Sequence, residues 1–148
     1  MKRFGVLVAI GIAFGLAFGV ACGGRSSPTD SKSGGVASTI RDGQWGGEHI
    51  SLQAASTGAV LDFDCAHGSI PAPLSVGADG RFRLPGVFVR EHGGPVVIGE
   101  PEDSQPANYL GTIQGSTMTL SIELTRDMLS IGPYVLELSK PGRITKCL

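Results

Sequence analysis

The chain holds few of the patterns from which reactive or nucleic-acid-binding sites are built. Beyond the N-terminus its basic residues are scattered, with only Arg81 and Arg83 close together. No positive stripe tracks a phosphate backbone, so nucleic acid is not an expected partner. No His-x-His or Cys-x-x-Cys sets two metal ligands side by side, and no Gly-x-Ser-x-Gly elbow presents a nucleophilic serine. Internal repeats are absent; the two Glu-His pairs, Glu48-His49 and Glu91-His92, stand in unrelated contexts. Cysteine is scarce as well. Cys22, Cys65 and Cys147 make three, an odd number that leaves one thiol outside any disulfide scheme.

What is present begins with an address. Lys2 and Arg3 precede residues 4–20, which carry no charge, and small residues lead up to Cys22. A positive start, an apolar middle and a small-residue exit are the parts of a secretory signal peptide. With Ala21-Cys22-Gly23 at its end, the segment resembles the signal of a bacterial lipoprotein, although Gly19 stands where that family usually has Leu. The resemblance implies cleavage before Cys22 and acylation of that residue, palmitate included, so that the membrane becomes a partner through the N-terminal lipid. Gly23 implies the outer membrane of a diderm cell. A retained span is the competing reading, since 18 residues (4–21) at about 1.5 Å each reach roughly 27 Å; four glycines and the small-residue exit weigh against it. Free secretion is the third reading.

Residues 22–42 are rich in Gly and Ser and contain no aromatic residue. They read as a flexible, lipid-anchored linker. Once lipidation uses Cys22, Cys65 and Cys147 remain as an even pair for a disulfide in an oxidising compartment. Loss of 1–21 removes two of the 12 basic residues and none of the 13 acidic ones, leaving a net charge of −3.

The folded part is expected over 43–148, enough chain for one domain around one core. Its dominant period is two. Leu61, Phe63 and Cys65 alternate with Asp62 and Asp64; Phe82 and Leu84 with Arg81 and Arg83; Met118, Leu120, Ile122 and Leu124 with polar neighbours; Tyr134, Leu136 and Leu138 with Val135 and Glu137. Strands are predicted near 45–55, 59–66, 69–76, 81–90, 95–99, 107–114, 117–125 and 133–139, with a ninth at 143–147. Asp79-Gly80 is the strongest hairpin signal, and 99–107 reads as an exposed acidic loop. The fold class is therefore all-β: a small antiparallel barrel of about eight strands, or a β-sandwich.

Gly43-Gln44-Trp45 opening the first strand and Arg143 in the last one resemble the calycin barrels (lipocalins, avidins and relatives). That resemblance implies a barrel-end pair in which the arginine packs across the indole of Trp45. Large inward residues (Trp45, Leu61, Phe63, Phe82, Leu84, Phe88, Met118, Leu120, Ile122, Leu136 and Leu138) should largely fill an eight-stranded barrel.

Candidate chemistry is thin. His49, His67 and His92 could combine with Glu48, Glu91 or Asp64 around zinc, and Cys65 and His67 would share a strand face. Cys65 has the competing use in a disulfide. No metal site, cofactor or catalytic residue is therefore assigned. The functional reading is a lipid-anchored envelope domain that binds a partner through its loops, 99–107 and 90–95 first among them. Small apolar-ligand binding is the alternative; an envelope enzyme, an enzyme inhibitor or a purely structural component stand behind it.

Overall fold

The computed structural model describes residues 38–94, 99 and 101–147. The expected signal peptide 1–21, Cys22 and the expected linker up to residue 37 lie outside the described residues. Ten strands form: β1 (Ser38–Thr39), β2 (Gly43–Gly47), β3 (Ile50–Ala55), β4 (Gly58–Phe63), β5 (Ala66–Ile70), β6 (Ser75–Val76), β7 (Arg81–Arg90), β8 (Asp103–Gln114), β9 (Thr117–Leu124) and β10 (Leu129–Leu138). Eight of them close into an antiparallel barrel in the order β10-β2-β3-β4-β5-β7-β8-β9, and β1 pairs with β6 apart from it. The protein is all-β, and each barrel strand lies beside its chain neighbours.

Alternation builds the wall. In β9, Met118, Leu120, Ile122 and Leu124 turn inward between polar residues; in β7, Phe82, Leu84 and Phe88 do the same. All eleven residues expected inside are buried or, for Leu138, packed partly buried against the core. Tyr109 joins them at the centre. Its ring lies beside Gly68 and Gly86, where side chains would collide with it, and its hydroxyl donates to the Val87 carbonyl at 2.8 Å. These glycines sit in mid-strand because a neighbour needs their space.

Several boundaries differ from the alternation reading. Residues 45–55 form two strands, because Glu48 and His49 make a tight turn between Gly47 and Ile50. The span 69–76 breaks at Pro71 and Pro73, neither of which could donate to a ladder. Asp79-Gly80 does turn, with Gly80 at φ 76°, but β6 pairs with β1 instead of forming a hairpin with β7. Most of 95–99 lies outside the described residues, and Gly99 is in a turn. The expected loop 99–107 is half strand: Asp103 to Ala107 extend β8 and pair with Arg90 to Gly86 of β7. The expected ninth strand at 143–147 is irregular apart from an isolated bridge between Arg143 and Glu48. The fold also starts before Gly43: Ile40 is buried in the core and its N–H donates to Leu74 O at 2.7 Å. Residues 38–42 thus belong to the folded part rather than to the linker.

The closing seam is short. β10 and β2 share only Glu137–Gly46 and Leu138–Trp45, whereas β7 and β8 share ten pairs. Residues 140–147 reinforce it as a strap across the outside of the wall. The strap crosses Gly46, where a Cβ would collide with the Pro141 and Gly142 backbone. It then bonds through Arg143 N to Gly47 O at 2.9 Å and through His49 N to Arg143 O at 2.7 Å. Cys147 finally joins Cys65 in a disulfide, with Cα atoms 5.2 Å apart.

Candidate functional site

The antiparallel meander gathers the β2–β3, β4–β5, β7–β8 and β9–β10 connections at one end of the barrel. The β3–β4 and β8–β9 turns, the 71–80 excursion and Ser38 lie at the other. Titratable side chains concentrate at the first end, called the rim below. His49 Nδ1 meets Asp64 Oδ2 at 2.6 Å, and His67 Nδ1 meets Glu91 Oε1 at 2.8 Å. Arg143 bonds Glu48 at 2.8 Å, and Lys146 bonds Glu91 at 3.1 Å and reaches Asp62 at 3.6 Å. On the far side of the rim Arg90 donates to Asp127 at 2.7 Å, and Arg126 donates to Asp103 at 3.0 Å. Gln105, almost fully buried, extends its amide Nε2 to Asp127 at 2.9 Å.

The local fold explains the placements. Asp64 and Cys65 are the two-residue turn between β4 and β5, which aims the Asp64 carboxyl at the passing strap. Thr145 N–H donates to that carboxyl at 2.9 Å and, with His49 behind it, holds Asp64 below the usual carboxylate range. Glu91 is lowered by its hydrogen bond to His67 and then by Lys146. Asp127 is lowered by Gln105 and then by Arg90. Burial, with Asp64 adding to it, raises the Tyr134 phenol.

Two of the recesses at the rim are lined by its paired histidines. One, about 330 Å³, is the barrel mouth, lined by Phe63, Phe88, Tyr134, His49 and Asp64 beside the disulfide. Phe63 is the centre of its aromatic floor, with the Phe88 ring 5.5 Å away and the Tyr134 ring 5.6 Å away, both tilted. The other, about 540 Å³, is a groove on the outer wall lined by His67, Val89, Arg90, Glu91, Asp103 and Cys147, among others.

The chain matches no family model, no curated protein and no solved structure.

The site is therefore defined by its own residues. Cys65 and Cys147 come together as expected, but Cys65 lies in the turn rather than on an inward strand face, because β4 ends at Phe63. It consequently shares no strand face with His67, which points outward from β5. Trp45 is buried in the core while the Arg143 side chain is 81% exposed, its guanidinium on Glu48. The two do not form a barrel-end pair; the strap carries Arg143 away to the rim.

The histidines separate into different roles. His49 and His67 each meet a carboxylate through Nδ1. Among the described residues no hydroxyl or thiol is hydrogen-bonded to either ring, so a nucleophilic triad is not assembled. His92 lines the outer groove and approaches the Gly93 carbonyl at 3.3 Å. Among the described residues no group of three or more His, Cys, Asp or Glu is arranged to hold a metal ion. What the rim holds is a set of fixed charges over an aromatic recess. Alternation could not reveal it, because its members come from four separate turns and the strap.

Proposed function

We propose that this chain is a lipid-anchored cell-envelope protein, tethered through Cys22, whose barrel is a binding module that meets its partner at the rim. The observation that carries the reading is polarity of placement. Ser38 lies at one end of the barrel, and the paired charges and the aromatic recess gather at the other. Fixed groups on a rigid scaffold are where binding residues concentrate, and the rim joins five connected segments through ion pairs and a disulfide. The chain-order meander of eight strands supports the calycin-like resemblance. A second reading, small-ligand binding, is favoured by the aromatic recess in the mouth.

The anchor is tested by Cys22→Ser, which should move the protein from the membrane to the soluble fraction and abolish labelling with radioactive palmitate. The rim is tested in intact cells with a photo-crosslinking residue at Met128, 94% exposed beside the rim, or at Thr57 in the opposite-end turn. A discrete adduct from position 128 and none from 57 is the expected result. Adducts from both positions alike, or from neither, would remove the rim as the contact surface.

A further inference from the structure

We infer that the mouth recess is a binding site for a small organic ammonium ion carrying an apolar or aromatic group. This rests on the reading of the rim as the binding face and adds to it the chemistry of one ligand. Two features converge in the same place.

The first is the floor. Phe63, Phe88 and Tyr134 meet at centroid distances of 5.5 and 5.6 Å with interplanar angles of 51° and 46°. Phe63 and Phe88 are buried, and half-buried Tyr134 carries the ring surface open to a ligand, beside Asp64; an aromatic face attracts alkylammonium groups. At about 330 Å³ the recess is at the small end of ligand-site volumes. It suits a single ring or a short chain rather than a lipid.

The second is the charge around it. Glu48, Asp62, Asp64 and Glu91 stand along the strap and mouth against two permanent cations, Arg143 and Lys146, with His49 and His67 as the titratable partners. Four carboxylates thus face two cations at this corner, the histidines aside. Asp64 itself lines the recess, so a cation over the rings would sit beside a carboxylate. An anion would meet both the carboxylate and the negative ring faces.

The test uses the purified full-length chain and three probes of similar size: benzyltrimethylammonium, benzyl alcohol and benzoate. Binding is followed by NMR shifts of the Phe63, Phe88 and Tyr134 rings. The cation should bind roughly tenfold more tightly than the neutral alcohol, with benzoate weaker still. Asp64→Asn should erase most of that preference. Because Asp64 also holds the strap, Tyr134→Leu serves as the second variant: it keeps apolar volume, removes one π face, and should weaken the cation severalfold while leaving benzyl alcohol nearly unchanged. Equal binding of the three probes, shifts confined to residues outside the mouth, or no shift in the folded wild-type protein would each overturn the site. Failure here with the Met128 crosslink intact removes the ammonium ligand but keeps the binding face; the reverse pattern removes the partner surface but keeps the ligand.

Discussion

Thr145 donates its backbone N–H to Asp64 Oδ1 at 2.9 Å across 81 residues of sequence. That bond, with Cys147 N donating to Asp64 O at 3.2 Å, makes the β4–β5 turn the dock for the C-terminal strap. The dock is ionic, and so it depends on pH. Asp64 is lowered first by Thr145, Glu91 first by His67, and Asp127 first by Gln105. Each is a carboxylate whose folded pKa lies below its unfolded value. The stability each gives is fully present above the ordinary carboxylate pKa of about 4, and is lost as pH falls from there through the lowered folded value. Urea midpoints should therefore be flat above that region and fall steadily below it. Asp64→Asn should make the acid decline shallower. An acid limb unchanged in that variant would remove Asp64 as a contributor.

The disulfide should be the largest single stabiliser of the strap. Cys65 and Cys147 are separated by 82 residues, and in the loop-closure model a bridge of that span is worth about 4.5 kcal/mol against the unfolded chain. Reduction, or Cys147→Ala, should lower unfolding free energy by a few kcal/mol and expose 140–147 to protease before the barrel opens. Alkylation of the unfolded but unreduced chain should leave Cys65 and Cys147 unmodified. Two labelled thiols at those positions would contradict the bridge.

Gly46 should tolerate no side chain. It faces outward from β2, a position where alternation alone would accept almost any residue, yet a Cβ there collides with the Pro141 and Gly142 backbone. Gly46→Val should displace the strap and cost about 1–3 kcal/mol, the usual range for overpacking a tight contact. Gly115, which has open space around it but a φ of 63°, is the comparison. Gly115→Asn should cost much less, because Asn tolerates that conformation. Thermal unfolding of the two variants separates steric from conformational causes.

Period-two alternation made most of the barrel legible from sequence: Met118 to Leu124, Phe82 to Leu84 and Leu61 to Phe63 all point where their spacing put them. It could not see Tyr109, whose strand was expected without an assigned inward face, or the reason for Gly68 and Gly86, since the clash that needs them lies between strands. It placed Cys65 inside because the pattern ran two residues past the end of β4, into the turn. It drew 103–107 as loop because acidic residues and prolines look solvated, whereas β7 is long enough to pair them. The rim was least legible. Glu48-His49 and Glu91-His92 are adjacent in sequence, but the fold pairs His49 with Asp64 and His67 with Glu91. Such exchange is set by which turns meet at one end of a barrel, and no local spacing encodes it.

Met128 holds the last prediction. It is 94% exposed at the tip of the β9–β10 connection, and its φ is 54°, in the left-handed region where a side chain costs about 1 kcal/mol relative to glycine. Exposure means that the side chain returns little through burial, so the strain is not offset within the described fold. Met128→Gly should leave the barrel as stable as before or up to about 1 kcal/mol more stable, because relief of strain opposes the extra freedom glycine gives the unfolded chain. The neighbouring ion pairs, Arg90 with Asp127 and Arg126 with Asp103, do not involve its side chain and should survive. If the rim is the contact surface, the same substitution should weaken partner binding while stability holds or rises. Denaturation of the variant, and crosslinking from a photo-reactive residue placed instead at exposed Thr125 with and without Met128→Gly, give the answer: a loss of stability of about 1 kcal/mol or more would show that the Met128 side chain supports the fold, not the contact.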